Sequence, residues 1–196
     1  MLAAILALCG TTVMNSCKDS GQKAAPTAQV VETQAQPETY LTAIDRYLVD
    51  TIGSCYSPGQ HCIPYAIVVG VDSATTDDIK VWGDFWVFNY NQDGDTLKCC
   101  SGGNHPGLVH LTKGQGGYEV TAFDAVGDGS EFLPTAQRIF GSRFNDFKAV
   151  QADENTRERA RADVIAQYVQ QYHLTARFYQ DYGWPAKPIP GIASGD

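Results

Sequence analysis

Basic residues are scarce in this chain of 196 amino acids: 14 lysines and arginines stand against 22 aspartates and glutamates, for a formal net charge of −8. No basic cluster occurs, so a phosphate backbone finds no electrostatic footing and nucleic acid is excluded as a partner. The same acidity repels anionic membrane surfaces, so membrane attachment would have to be covalent or protein-mediated. Long apolar runs are missing too. The one apolar stretch, Met1 to Met14, is too short to span a bilayer. No Gly-x-Gly-x-x-Gly follows a strand, which leaves dinucleotide binding without support, and no Gly-x-Ser-x-Gly surrounds Ser101-Gly102-Gly103, which reads as a turn. No internal repeat is visible. Six cysteines are present, none in a Cys-x-x-Cys pair.

What the chain has in abundance is β-forming sequence. From Ile79 to Val126 it is dense in aromatic and β-branched residues. In the first strand of this stretch Ile79, Val81, Phe85 and Val87 share one face. Lys80, Trp82, Asp84, Trp86, Phe88 and Tyr90 share the other. Both faces are largely apolar, as in a strand covered on both sides or one whose aromatic face lines a pocket. Asn91 to Asp95, with its Asp-Gly, predicts a hairpin, and Gly114 to Gly117 a second turn. Between them Ser101 to Gly107, with three glycines and a proline, predicts a loop or bulged bend that interrupts the ladder.

Upstream, Leu41, Ile44, Leu48 and Ile52 recur at helical spacing, with Thr39 as N-cap and Gly53 as stop. Tyr65 to Val71 reads as a central strand. Downstream, helices are predicted over Leu133–Phe140, Phe144–Ala152 and Asp153–His173. The last has a buried stripe of Ala160, Val164, Ile165, Tyr168, Val169 and Tyr172, with Arg157, Arg159 and Arg161 on the wet side.

At the N-terminus, Val13-Met14-Asn15-Ser16-Cys17 closes the apolar run with a small residue before a cysteine. This resembles the lipobox of Gram-negative bacterial lipoproteins, which implies cleavage before Cys17 and a lipid on its sulfur; the other readings are an ordinary secretory signal and a cytosolic protein with an apolar N-terminus. Lys18 to Pro37 is Ala/Gln/Pro/Thr-rich without aromatics, the composition of a flexible tether. The expected organisation is a signal over residues 1–16, a tether over 17–37, one α+β domain over 38–183 and a Pro/Gly-rich tail over 184–196. Export favours disulfides: Cys55–Cys62 is the local pairing, with Cys99 or Cys100 as possible partners. A zinc site drawn from His61, Cys55, Cys62, Cys99, Cys100 and His105 lacks recognisable spacing, and Asp124 with Gly127 to Glu131 lacks a calcium-loop pattern, so no metal and no cofactor are expected.

One helix, four to five antiparallel meander strands and then further helices is an order similar to the cystatin-like and NTF2-like α+β folds. That resemblance implies a curved sheet wrapped on the N-terminal helix, with a cavity between that helix and the aromatic face of Trp82, Trp86, Phe88 and Tyr90. The Gln-x-Val-x-Gly hairpin of cystatins is absent, so protease inhibition is not implied. The expected function is an exported, lipid-anchored, non-catalytic module that binds a small molecule or a protein. Two alternatives stand beside it. One is a small isomerase or hydrolase using Asp84 with His105 or His110, because a carboxylate in an apolar cavity is a competent base. The other is a structural accessory protein of an envelope complex.

Overall fold

The structure, a computed structural model, describes residues 38–192. The signal, the lipobox with Cys17 and the whole tether fall outside them. The fold is α+β: one curled, mixed six-stranded sheet with helices against both faces.

The chain enters through helix α1 (Tyr40–Tyr47), capped by Thr39, whose Oγ1 accepts from the Thr42 amide at 3.2 Å. The helix loosens into a π turn over Leu48–Ile52 and a 3-10 turn over Gly53–Cys55. Gly53 keeps a helical φ of −60°, so its role is space: a Cβ there would lie 2.8 Å from Cys62 Sγ.

Four antiparallel strands follow: β1 (His61–Asp72), β2 (Ile79–Asp93), β3 (Thr96–Gly114) and β4 (Gly117–Ala125). Gly94, at φ +60°, makes the β2–β3 hairpin where Asp-Gly predicts it. Two expectations need correction. β1 is the edge of the sheet, not a central strand, and begins at His61. The predicted break at Ser101–Gly107 does not occur, and β3 runs through it unbroken. The glycines serve close approach instead. A Cβ at Gly102, whose φ is +133°, would meet the Val87 carbonyl oxygen, and one at Gly107 the Asp124 oxygen. Irregularity is confined to three bulges, at Val69, Cys100 and Thr121, each an extra residue on one strand. Bulges add local twist, and these curl the sheet.

After β4 come α2 (Phe132–Phe140), α3 (Phe144–Ala152) and α4 (Glu154–Gln171). The chain then returns to the sheet. Strand β5 (Phe178–Gln180) pairs in parallel with the start of β3, and β6 (Lys187–Pro188) pairs with β5. The sheet is therefore mixed rather than a pure meander. The stretch beyond residue 183 also contributes a buried side chain, Ile189, to the core.

Period-two alternation decides what each face meets. Ile79, Val81 and Phe85 of β2 pack with Val109 and Leu111 of β3 beneath Ala43, Ile44 and Leu48 of α1 and its π turn. Trp82 and Leu108, on the opposite face, pack under Ala136, Ile139, Phe140 and Phe147 of α2 and α3. Further along that face Ile63, Tyr90 and Leu97 meet Ala162, Ile165, Ala166 and Val169 of α4. The aromatic face thus turns away from α1, and the expected cavity between the two does not form.

Candidate functional site

The residues named from the sequence are dispersed. Asp84 lies on the aromatic face, fully buried. Its carboxylate accepts from Asn104 Nδ2 at 2.6 Å, Trp86 Nε1 at 3.0 Å and Gln151 Nε2 at 3.2 Å. Burial raises its pKa, while these donors and the nearby Arg157 act the other way. Every donor is satisfied, and Asp84 is not among the wall residues of the cavities described below.

His105 pairs across the ladder with Phe85, which puts it on the other face of the sheet from Asp84. Its Nε2 lies 2.9 Å from the Tyr56 hydroxyl, and burial lowers its pKa. His110 shares a face with Asp84 but sits four residues beyond Asp84's cross-strand partner, Pro106. It bridges two carboxylates, with Nδ1 2.7 Å from Asp78 and Nε2 3.5 Å from Asp124. No Asp84–His pair forms.

Of the four aromatic residues expected to line a pocket, Trp82 is core. Its Nε1 donates to the Ile139 carbonyl at 2.8 Å, and the Arg143 guanidinium lies 4.0 Å from its ring centre. Tyr90 is core as well. Its hydroxyl accepts from both Nε and Nη2 of Arg161, at 2.9 and 2.7 Å. Trp86 and Phe88, with Tyr65 stacked 5.7 Å from Trp86, border only a crevice of about 120 Å³ under α4.

Arg161 itself is a correction: it is buried, not on the wet side of α4. The buried stripe of α4 runs through Arg161, Ala162, Ile165, Ala166 and Val169, rotated from the expected one. The guanidinium forks onto Asp181, with bonds of 2.6 and 2.8 Å, and lies 4.2 Å from the Phe88 ring centre. Five donors in a fixed plane meet four acceptor contacts and an aromatic face, which is how a buried arginine is tolerated.

The four cysteines of the domain are free thiols, so the expected Cys55–Cys62 bridge is absent from this structure. Each sulfur is turned elsewhere. Cys55 Sγ donates to the Thr51 carbonyl at 3.4 Å, and Cys62 Sγ points at Gly53. Cys99 faces the Ser101 carbonyl, and Cys100, the bulge residue of β3, the Asn89 carbonyl. Among the described residues no group of three or more His, Cys, Asp and Glu side chains is arranged to hold a metal.

A concavity lies away from the aromatic face and from the Asp and His candidates. A cleft of about 580 Å³ opens at the free edge of β1, between α1 with its π turn on one side and α4 on the other. Three consecutive β1 residues, Cys62, Ile63 and Pro64, line it. Consecutive strand residues point to opposite faces, so a cleft touching all three meets the strand along its edge. Asp45, Val49 and Asp50 form one wall, and Gln167, Tyr168 and Gln171 the other. The Tyr168 hydroxyl lies 3.5 Å from His61 Nδ1. Asp45 is pushed up to about 6 by burial alone, and the Cys62 thiol is raised by burial and by Asp50. A signal was present in the sequence: a polar-walled helix pair beside a Pro-bearing strand, because proline within a strand belongs to an edge.

Comparison with known proteins finds no matching family model, curated protein or solved structure. The edge cleft therefore has to be read from its own chemistry. It combines unpaired strand backbone, two carboxylates, two amides and two tyrosines, which can hold an extended chain by main-chain and side-chain hydrogen bonds.

Proposed function

We propose that this chain is a cell-envelope lipoprotein whose folded domain is a non-catalytic binding module, and that the module takes an extended segment of a partner protein along the edge of β1. The observation that carries this reading is the cleft of about 580 Å³ on the open side of β1. An outer strand presents unpaired N–H and C=O groups, and a protein that leaves such an edge between two helices can receive an added strand there. The helices limit what can approach, so a single extended segment fits and sheet-to-sheet association does not. The enzyme reading has less support, because Asp84, His105 and His110 are each committed to different neighbours.

The α1–β1–β2–β3–β4 core belongs, on this proposal, with the cystatin-like and NTF2-like folds. The element order, the antiparallel register and the packing of α1 on one sheet face support that placement. Anchoring rests on the Ser16-Cys17 junction after the apolar run. Among the described residues no helix is long and apolar enough to cross a membrane, so a lipid on Cys17 is the attachment proposed.

Two measurements test the proposal. Intact-mass analysis of the protein from its native membrane fraction should show cleavage before Cys17 and the added mass of a diacylglyceryl group; an unmodified, uncleaved N-terminus rules out the anchor. Amide exchange with and without partner-derived peptides should slow at Cys62, whose amide shares the open edge with the Pro64 nitrogen. Exchange that slows only on the α2–α3 surface would move the site elsewhere.

A further inference from the structure

The cleft has an unbalanced charge. Asp45 and Asp50 line it from the α1 side, whereas α4 offers the uncharged Gln167, Tyr168 and Gln171. The one cation on the wall, Arg46, is already engaged: Nη1 bonds to Glu38 at 2.7 Å and Nη2 to the Tyr118 carbonyl at 3.2 Å. Asp45 makes no hydrogen bond or ion pair among the described residues, and burial is the sole influence on its carboxyl. A half-buried carboxylate left without a cation is unfavourable in the free protein, and the deficit is relieved when a cation enters.

We propose that the edge cleft selects a basic segment, one whose lysine or arginine side chain reaches Asp45 while its backbone runs beside Cys62 and Ile63. This rests on the strand-addition reading and adds the chemistry of the occupant. The net charge of −8 favours encounter with such a segment at low salt. Besides Asp45, the charged or titratable groups lining the cleft are Arg46, Asp50, Cys62, Tyr168 and Tyr172. Asp45 carries its charge above about pH 6 and loses it below, so recognition of a cation weakens on acidification through that value.

The test uses the intact, isotopically labelled chain and blocked hexapeptides of alternating threonine and valine, with one central position carrying lysine, arginine, norleucine or glutamate. Affinity is read from amide shifts and site occupancy from exchange at Cys62. The lysine and arginine peptides should bind about tenfold tighter than the norleucine peptide at pH 7.5, the magnitude of a charge-assisted hydrogen bond. Asp45→Asn should erase that ratio, and the ratio should shrink at pH 5. If norleucine and lysine bind equally and protect β1, the cation preference is wrong and strand addition stands. A lysine preference that survives Asp45→Asn also overturns the preference assigned to Asp45. If no peptide protects β1, the strand-addition reading falls and this inference with it.

Discussion

Asp84 is a fully buried carboxylate and Asp45 a half-buried one, and their surroundings give them opposite meanings. Asp84 is held by three donors from β2, β3 and α3. Asp84→Ala would orphan the Trp86 indole and two amides in the interior, so stability should drop by about 3 kcal/mol in urea denaturation. A loss under 1 kcal/mol would mean that water replaces the carboxylate. Asp45 has no such donors. Its folded pKa of about 6 exceeds its ordinary value of 3.8, so the native state binds the extra proton. The cost of ionising Asp45 is fully present above pH 6, fades as pH falls through the window and is gone below about pH 4. Asp45→Asn should therefore stabilise the fold at pH 7.5 by about 1 to 2 kcal/mol, allowing for solvent screening, and leave it unchanged at pH 4. Thermal melts at the two pH values check the sign. A substitution that strengthens the fold while weakening capture of a cation is the pattern expected where a residue serves binding.

At the scale of elements, the strand faces and the helix sequence were readable because each has a periodicity. The alternation in Ile79–Tyr90 names the two faces of β2, and Ile44 and Leu48 mark the buried side around α1, whereas Leu41, expected with them, is exposed. The glycines of β3 misled because glycine has two uses. It breaks a strand when the chain turns, and it permits one when another backbone comes too close for a Cβ. Only the register with Val87 and Phe88 tells these apart. Gly102→Ala should accordingly cost more than 3 kcal/mol, since it combines φ +133° with a clash against backbone oxygen. Gly114→Ala, which meets nothing within 4 Å, should stay within about 0.5 kcal/mol. Equal effects in chemical denaturation would return Ser101–Gly107 to the status of a loop. Arg161 was misplaced for a different reason. Its partners Tyr90 and Asp181 are 71 and 20 residues away, and no helical period carries that information. The candidate site was legible least of all. A cleft between α1 and α4 depends on β1 being outermost, and the order of strands in a sheet is not written in any one strand.

For the molecule as a whole, the stretch from residue 184 belongs to the fold more than its proline and glycine content indicates. Lys187 pairs with Glu158 at 2.8 Å, Lys187–Pro188 adds the strand β6, and Ile189 is buried against α4. Deleting residues 184–196 should lower the melting temperature by about 5 °C or more, because a fully buried isoleucine and a strand pair leave together. An unchanged melt would show that the domain closes at residue 183 after all.

β2 and β3 each supply side chains to all three hydrophobic clusters: Tyr90 and Leu97 under α4, Phe85 and Val109 under α1, Trp82 and Leu108 under α2 and α3. These two strands act as a shared spine rather than as members of separate layers. Damage to one cluster is therefore transmitted along a continuous ladder to the other two. The domain should melt as a single cooperative unit, and a segment laid against β1, hydrogen-bonded next to that spine, would tighten parts of the protein it never touches.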